Sequence, residues 1–110
     1  MDKKQAVRIA EKYAERVAKE FHPMQILLFG SYLEGTYHES SDIDIAIIFD
    51  KDSEPKNWLT AASRMQTIRW ETKESEVIEP IEPHLMRVSN NPASLARHVQ
   101  EVGKVLYQRT

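Results

Sequence analysis

Through the first 21 residues, Val7, Ala10, Tyr13, Ala14, Val17 and Phe21 recur at steps of three and four, with Lys and Glu on the other faces. That spacing predicts an amphipathic helix, which Pro23 stops. The pattern then shortens. QILLF (Gln25 to Phe29) is an apolar run ending at Gly30, and DIDIAIIF (Asp42 to Phe49) is a second, rich in isoleucine. Both predict strands. After the charged turn DKDSEP, the residues Leu59, Ala62, Met65, Ile68 and Arg69 mark a helix from about Asn57 to Trp70. SEVIEPI (Ser75 to Ile81) predicts a third strand, at an edge or ending at Pro80, because proline donates nothing to a ladder. NNPASLARHVQEV predicts a helix stopped before Gly103, and KVLYQ a last short strand. With no repeat and no linker, this order predicts one domain over residues 1–110. Its class is α/β, two layers, with a small sheet and helices on one face.

The most apolar run opens with two acids, Asp42 and Asp44. Alternate side chains of a strand share a face, so these two point one way and Ile43, Ile45 and Ile47 the other, toward the helices. Two close carboxylates repel, and burying bare charge is costly, so a cation between them is the natural remedy. Magnesium, a hard ion that takes oxygen ligands and substrate phosphates, suits the pair. The compact polar connection between the first two strands implies an antiparallel return. That brings Gly30 and Ser31 to the sheet edge holding Asp42 and Asp44. Gly30 allows close backbone approach, and Ser31 offers a hydroxyl and N–H groups at a helix start, a setting for phosphate oxygens. Metal-binding acids beside a phosphate cradle are the apparatus of phosphoryl or nucleotidyl transfer. Neither Gly-Ser nor Asp-x-Asp alone carries weight, since exposed acids at element ends are commonplace; the combination does.

Composition narrows the reading. The 110 residues are 41% hydrophobic and 29% charged, which suits one folded domain rather than disorder. The absence of cysteine excludes a disulfide scaffold and a thiolate zinc site, and fits a reducing cytoplasm. No apolar run is long enough to span a bilayer, and the N-terminal stretch is too charged for a signal peptide. A net charge of −2 disfavours direct nucleic-acid binding. There is no G-x-x-x-x-G-K for a P-loop. Among the remaining polar residues, His38 reads as an exposed loop histidine, and Arg64, Arg69 and Lys73 as a solvated helix face rather than triphosphate ligands. His22, His84 and His98 show no metal-ligand spacing. Tyr32 and Tyr37 read as locally packed, and Trp58 and Trp70 as core or partner-surface residues.

The stretch GSYLEGTYHESSDID resembles the signature of the DNA polymerase beta nucleotidyltransferase superfamily: Gly-Ser, a ten-residue gap, then Asp-x-Asp. Within it the chain is most similar to the minimal nucleotidyltransferases, small single-domain proteins often paired with a HEPN-domain protein as a toxin–antitoxin module. The likeness covers most of the chain and implies the two-layer nucleotidyltransferase fold with a mixed sheet. It assigns Asp42 and Asp44 to catalysis and magnesium, and Gly30 and Ser31 to the nucleotide phosphates. It also calls for a third acid on the third strand. Glu76, Glu79 and Glu82 are available; Glu76 and Glu82 share a face, and parallel pairing would set Glu76 level with Asp44. The IEP tripeptide favours Glu79, which is the expected third catalytic and metal-binding residue. The implied reaction is magnesium-dependent transfer of AMP from ATP to an acceptor hydroxyl, with a tyrosine of a HEPN toxin as acceptor and this chain as antitoxin. The alternative is a binding antitoxin that neutralises its partner without catalysis. Transfer to a small molecule such as an aminoglycoside is disfavoured, because no acceptor-holding domain accompanies the signature.

Overall fold

The computed structural model describes residues 1–74, 76 and 78–110. In chain order the elements are α1 (Lys3–Phe21), β1 (Gln25–Phe29), α2 (Ser31–Glu34), β2 (Ile43–Phe49), α3 (Trp58–Glu71), β3 (Ile81–Arg87), α4 (Leu95–Val102) and β4 (Lys104–Gln108). Their ends follow local chemistry. Asp2 and Gln5 form a reciprocal capping box at the start of α1. Asn57 caps α3 by accepting from the Thr60 N–H (2.9 Å), and Ser94 caps α4 by accepting from the Arg97 N–H (3.1 Å).

The sheet order is β3-β2-β1-β4. β1 pairs antiparallel with β2 and with β4, and β2 pairs parallel with β3, so the sheet is mixed. The central pair is β1 and β2, the two most apolar runs. Ile26 and Leu28 of β1 and Ile43, Ile45 and Ile47 of β2 are fully buried beneath α1 and α3, against Tyr13, Val17, Met65 and Ile68. The alternation expected for β2 therefore holds, with its isoleucines facing these helices. A fully buried aliphatic side chain of this size contributes about 2 kcal/mol by leaving water, so this layer dominates the stability. The helices are not confined to one face as expected: the opposite face is covered in part by α4, where Val99 packs on Leu27, Ala46 and Ile48.

Two placements differ from the sequence reading. The third strand runs over Ile81–Arg87, not from Ser75 to Ile81; Ser75 and Val77 of the expected strand lie outside the described residues. The edge position is as expected, and it explains the shift. An edge strand uses one side of its backbone, so Pro83 is tolerated within it, while Pro80 precedes it and accepts a hydrogen bond from the Ile43 N–H (2.7 Å). The second difference is in α3, which buries Ala61, Met65 and Ile68 while Leu59 is 79% exposed.

Candidate active site

β1 ends at Phe29, which pairs with Asp44 near the start of β2. The chain leaves β1 through Gly30 and turns at once into α2, whose first residue is Ser31. Gly30 has φ +82°, a conformation that favours glycine. Space demands glycine there as well: a Cβ would stand 2.4 Å from Asp44 Oδ2 and 3.2 Å from its Cγ. The Gly30 backbone thus lies directly against the Asp44 carboxylate. The expected meeting of the Gly-Ser turn with the second aspartate is a close contact between non-neighbouring residues. Ser31 and Tyr32 stand too early in α2 for their N–H groups to reach an intrahelical carbonyl.

β3 supplies the rest. Its parallel register sets Glu82 level with Asp44 and His84 level with Ala46. Asp44, Ala46 and Ile48 alternate with the helix-facing isoleucines, so Asp44 stands on the sheet face opposite α1 and α3. His84 Nε2 lies 3.1 Å from Asp44 Oδ1 and 4.0 Å from Glu82 Oε1, and its ring packs edge-on against Phe29 at 5.2 Å. One ligand atom each from Asp44, Glu82 and His84 falls within 4.8 Å of the others. Two carboxylates and an imidazole converging this closely, beside a glycine that admits no side chain, suit a divalent cation in charge and donor type. The site is open to solvent: Glu82 is about half exposed and Asp44 about a quarter.

The remaining expected residues fall as follows. Asp42 is exposed, immediately before β2, and does not join the three-donor group. It does lie near α2: the Tyr32 phenol pKa is pushed up mainly by burial, then by the Tyr37 and Asp42 charges. Glu79 precedes β3; its carbonyl accepts from the Arg69 guanidinium (3.2 Å) and the Ile81 N–H (2.8 Å), and its charge acts on Arg8 of α1. The acid level with Asp44 is therefore Glu82, in place of Glu79 or Glu76. The difference follows from a strand that starts six residues later than the sequence pattern predicts. His84, given no role from spacing, is the residue that sequence reasoning missed. Its signal was Glu82-x-His84, two polar side chains at strand spacing, legible only once that stretch is known to be a strand.

The bland readings hold elsewhere, except that Arg69 is half-buried rather than on a solvated face. His38 is exposed, and its ring accepts from the Ser40 N–H within a local turn. Tyr32 and Tyr37 stack on each other at 4.7 Å. Arg64 is held by Glu20 and Glu71, Arg69 by Gln66 and the Glu79 carbonyl, and Lys73 sits over Trp70. Trp58 packs against Phe49 and the core, whereas Trp70 is 58% exposed.

Residues 11–110 match the family described as Polymerase beta, Nucleotidyltransferase, and the chain belongs to it. A Methanocaldococcus jannaschii protein provisionally named a protein adenylyltransferase is 31% identical over 99 residues, 90% of this chain and 87% of that one. Among solved structures, a provisionally assigned nucleotidyltransferase of Sulfolobus solfataricus shares the fold: TM-score 0.60, 18% identity, 97% of this chain and 84% of the other. A toxin–antitoxin structure with AMP-PNP superposes at TM-score 0.52 and 26% identity, covering 89% of this chain and 73% of that one. The chain is a nucleotidyltransferase. No helix among the described residues is long and apolar enough to cross a membrane.

Proposed function

We propose that this nucleotidyltransferase is a cytoplasmic, magnesium-dependent protein adenylyltransferase and antitoxin. It would move AMP from ATP to a tyrosine hydroxyl of a HEPN-domain toxin. The observation that carries the reading is the Asp44 carboxylate lying against the Gly30 backbone with Glu82 in register beside it. The name of the Methanocaldococcus relative supports protein as the acceptor, and the toxin–antitoxin structure with AMP-PNP supports an adenine nucleotide and a toxin partner. The open site is in keeping with an acceptor presented by a second protein.

Asp42 and Asp44 would hold the cation, which when bound neutralises triphosphate charge and the departing pyrophosphate. Gly30 lets the Asp44 carboxylate stand against the turn, and Ser31 with the free amides at the start of α2 orients the phosphates beside it. Glu82, in place of the expected Glu79, takes the proton of the acceptor hydroxyl as its oxygen bonds to the α-phosphorus. The bond from that phosphorus to the β-bridging oxygen breaks, and pyrophosphate leaves.

Incubation with ATP, magnesium and a co-encoded HEPN protein should add one AMP to a partner tyrosine by mass spectrometry. An unmodified partner would overturn the reading. The Asp42→Ala, Asp44→Ala double variant should lose both modification and neutralisation; neutralisation retained at equal abundance would instead favour an antitoxin acting by binding.

A further inference from the structure

His84 was not needed to account for nucleotidyl transfer, yet its ring stands against the site's acids. Its Nε2 points at both acids, 3.1 Å from Asp44 Oδ1 and 4.0 Å from Glu82 Oε1. Three constraints fix that aim. The residue sits on β3, paired along its length with β2. Its ring is held edge-on by Phe29, from the strand on the far side of β2. The other oxygen of the carboxylate it faces, Asp44 Oδ2, lies against the Gly30 backbone, where a side chain would stand. An imidazole nitrogen is therefore held where a cation bound by Asp44 would sit.

We infer that His84 Nε2 is a direct ligand of the catalytic cation, making this a mixed nitrogen–oxygen site that accepts manganese beside magnesium more readily than an all-oxygen site would. The inference rests on the proposed nucleotidyl-transfer site and deepens it. Manganese shares magnesium's liking for carboxylate oxygens, but magnesium gives up its waters only reluctantly, so replacing one oxygen donor by an imidazole nitrogen penalises magnesium the more. With the nitrogen from His84 and an oxygen from Asp44, donor atoms 3.1 Å apart, Glu82 is left to act on the acceptor proton.

The test is pulsed electron paramagnetic resonance of manganese bound to the full chain, made with 15N-histidine, with and without a non-hydrolysable ATP analogue. Isotope labelling separates a protein nitrogen from those of adenine. The expected result is modulation from a directly coordinated 15N that disappears in His84→Gln. The manganese-to-magnesium affinity ratio, read by isothermal titration, should fall about tenfold or more in that variant. Glutamine keeps an N–H able to hold Asp44, so a purely positioning histidine would leave that ratio unchanged. Manganese bound without histidine coupling in the wild type overturns the inference but leaves the transfer site standing. Manganese that fails to bind overturns the inference alone; manganese and magnesium that both bind equally well to Asp44→Asn overturn both. His84 is about a third exposed on an edge strand, so the variant should fold; circular dichroism checks it.

Discussion

Gly30 carries two constraints at once. Its φ of +82° costs an L-residue on the order of 1–3 kcal/mol, and the missing Cβ is the space Asp44 Oδ2 occupies. Gly30→Ala must therefore either displace the turn or push the carboxylate aside. We expect stability to fall by about 1–3 kcal/mol in urea titration and transfer activity to fall at least ~100-fold, since misplacement by about an ångström can cost that much. A variant that melts lower but keeps its kcat would show that the carboxylate's position does not matter. Gly30, Ser31 and Asp44 could be chosen in the sequence because their chemistry is local: a glycine break, a hydroxyl and a charge in an apolar run. The third acid could not. Three glutamates at steps of three satisfy a strand pattern in different registers, and only the pairing of Asp44 with Glu82 decides among them.

At the scale of elements, β2 was the most legible because its pattern is the least ambiguous. Seven residues rich in isoleucine, with Ile43, Ile45 and Ile47 on one face, suit a strand better than a helix. α1 was clear for the same reason. α3 was harder: its apolar residues lie all round, so Leu59 was counted with the core and proves 79% exposed. β3 misled because Pro80 just before it and Pro83 within it argue against a strand anywhere but at an edge, and the sequence pattern does not reveal which run forms that edge. The isoleucine layer of β2 yields a stability prediction. Ile45 is fully buried in a strand paired on both sides. Ile45→Ala should cost about 2–5 kcal/mol, a large part of a stability of about 5–15 kcal/mol. Urea unfolding should show the lower midpoint with an unchanged slope; a loss below about 1 kcal/mol would mean the site can repack.

Across the whole molecule, the chain end is stitched back to its middle. Arg109, one residue past β4, pairs through its guanidinium with Asp50 at the end of β2. It also donates to the His22 and Met24 carbonyls between α1 and β1. The Arg109 guanidinium, helped by Ser53, holds the Asp50 carboxyl down at about 2. An aspartate depressed from its ordinary value of about 4 adds stability that is fully present above that value and is lost as pH falls toward 2. Arg109→Ala should therefore lower the melting temperature at pH 7 and flatten its decline between about pH 4 and 2. An acid limb identical to wild type would mean that the pair contributes nothing.

The Asp44–His84 contact joins positions 40 apart in the chain, across the parallel pairing of β2 with β3. Parallel neighbours need a crossover, here α3, before they can meet. A nascent chain emerging from the ribosome therefore carries Gly30 and Asp44 long before it carries their partners. The proposed site cannot exist in any early fragment; it forms late, with a long loop to close first, and so it reports on completed folding.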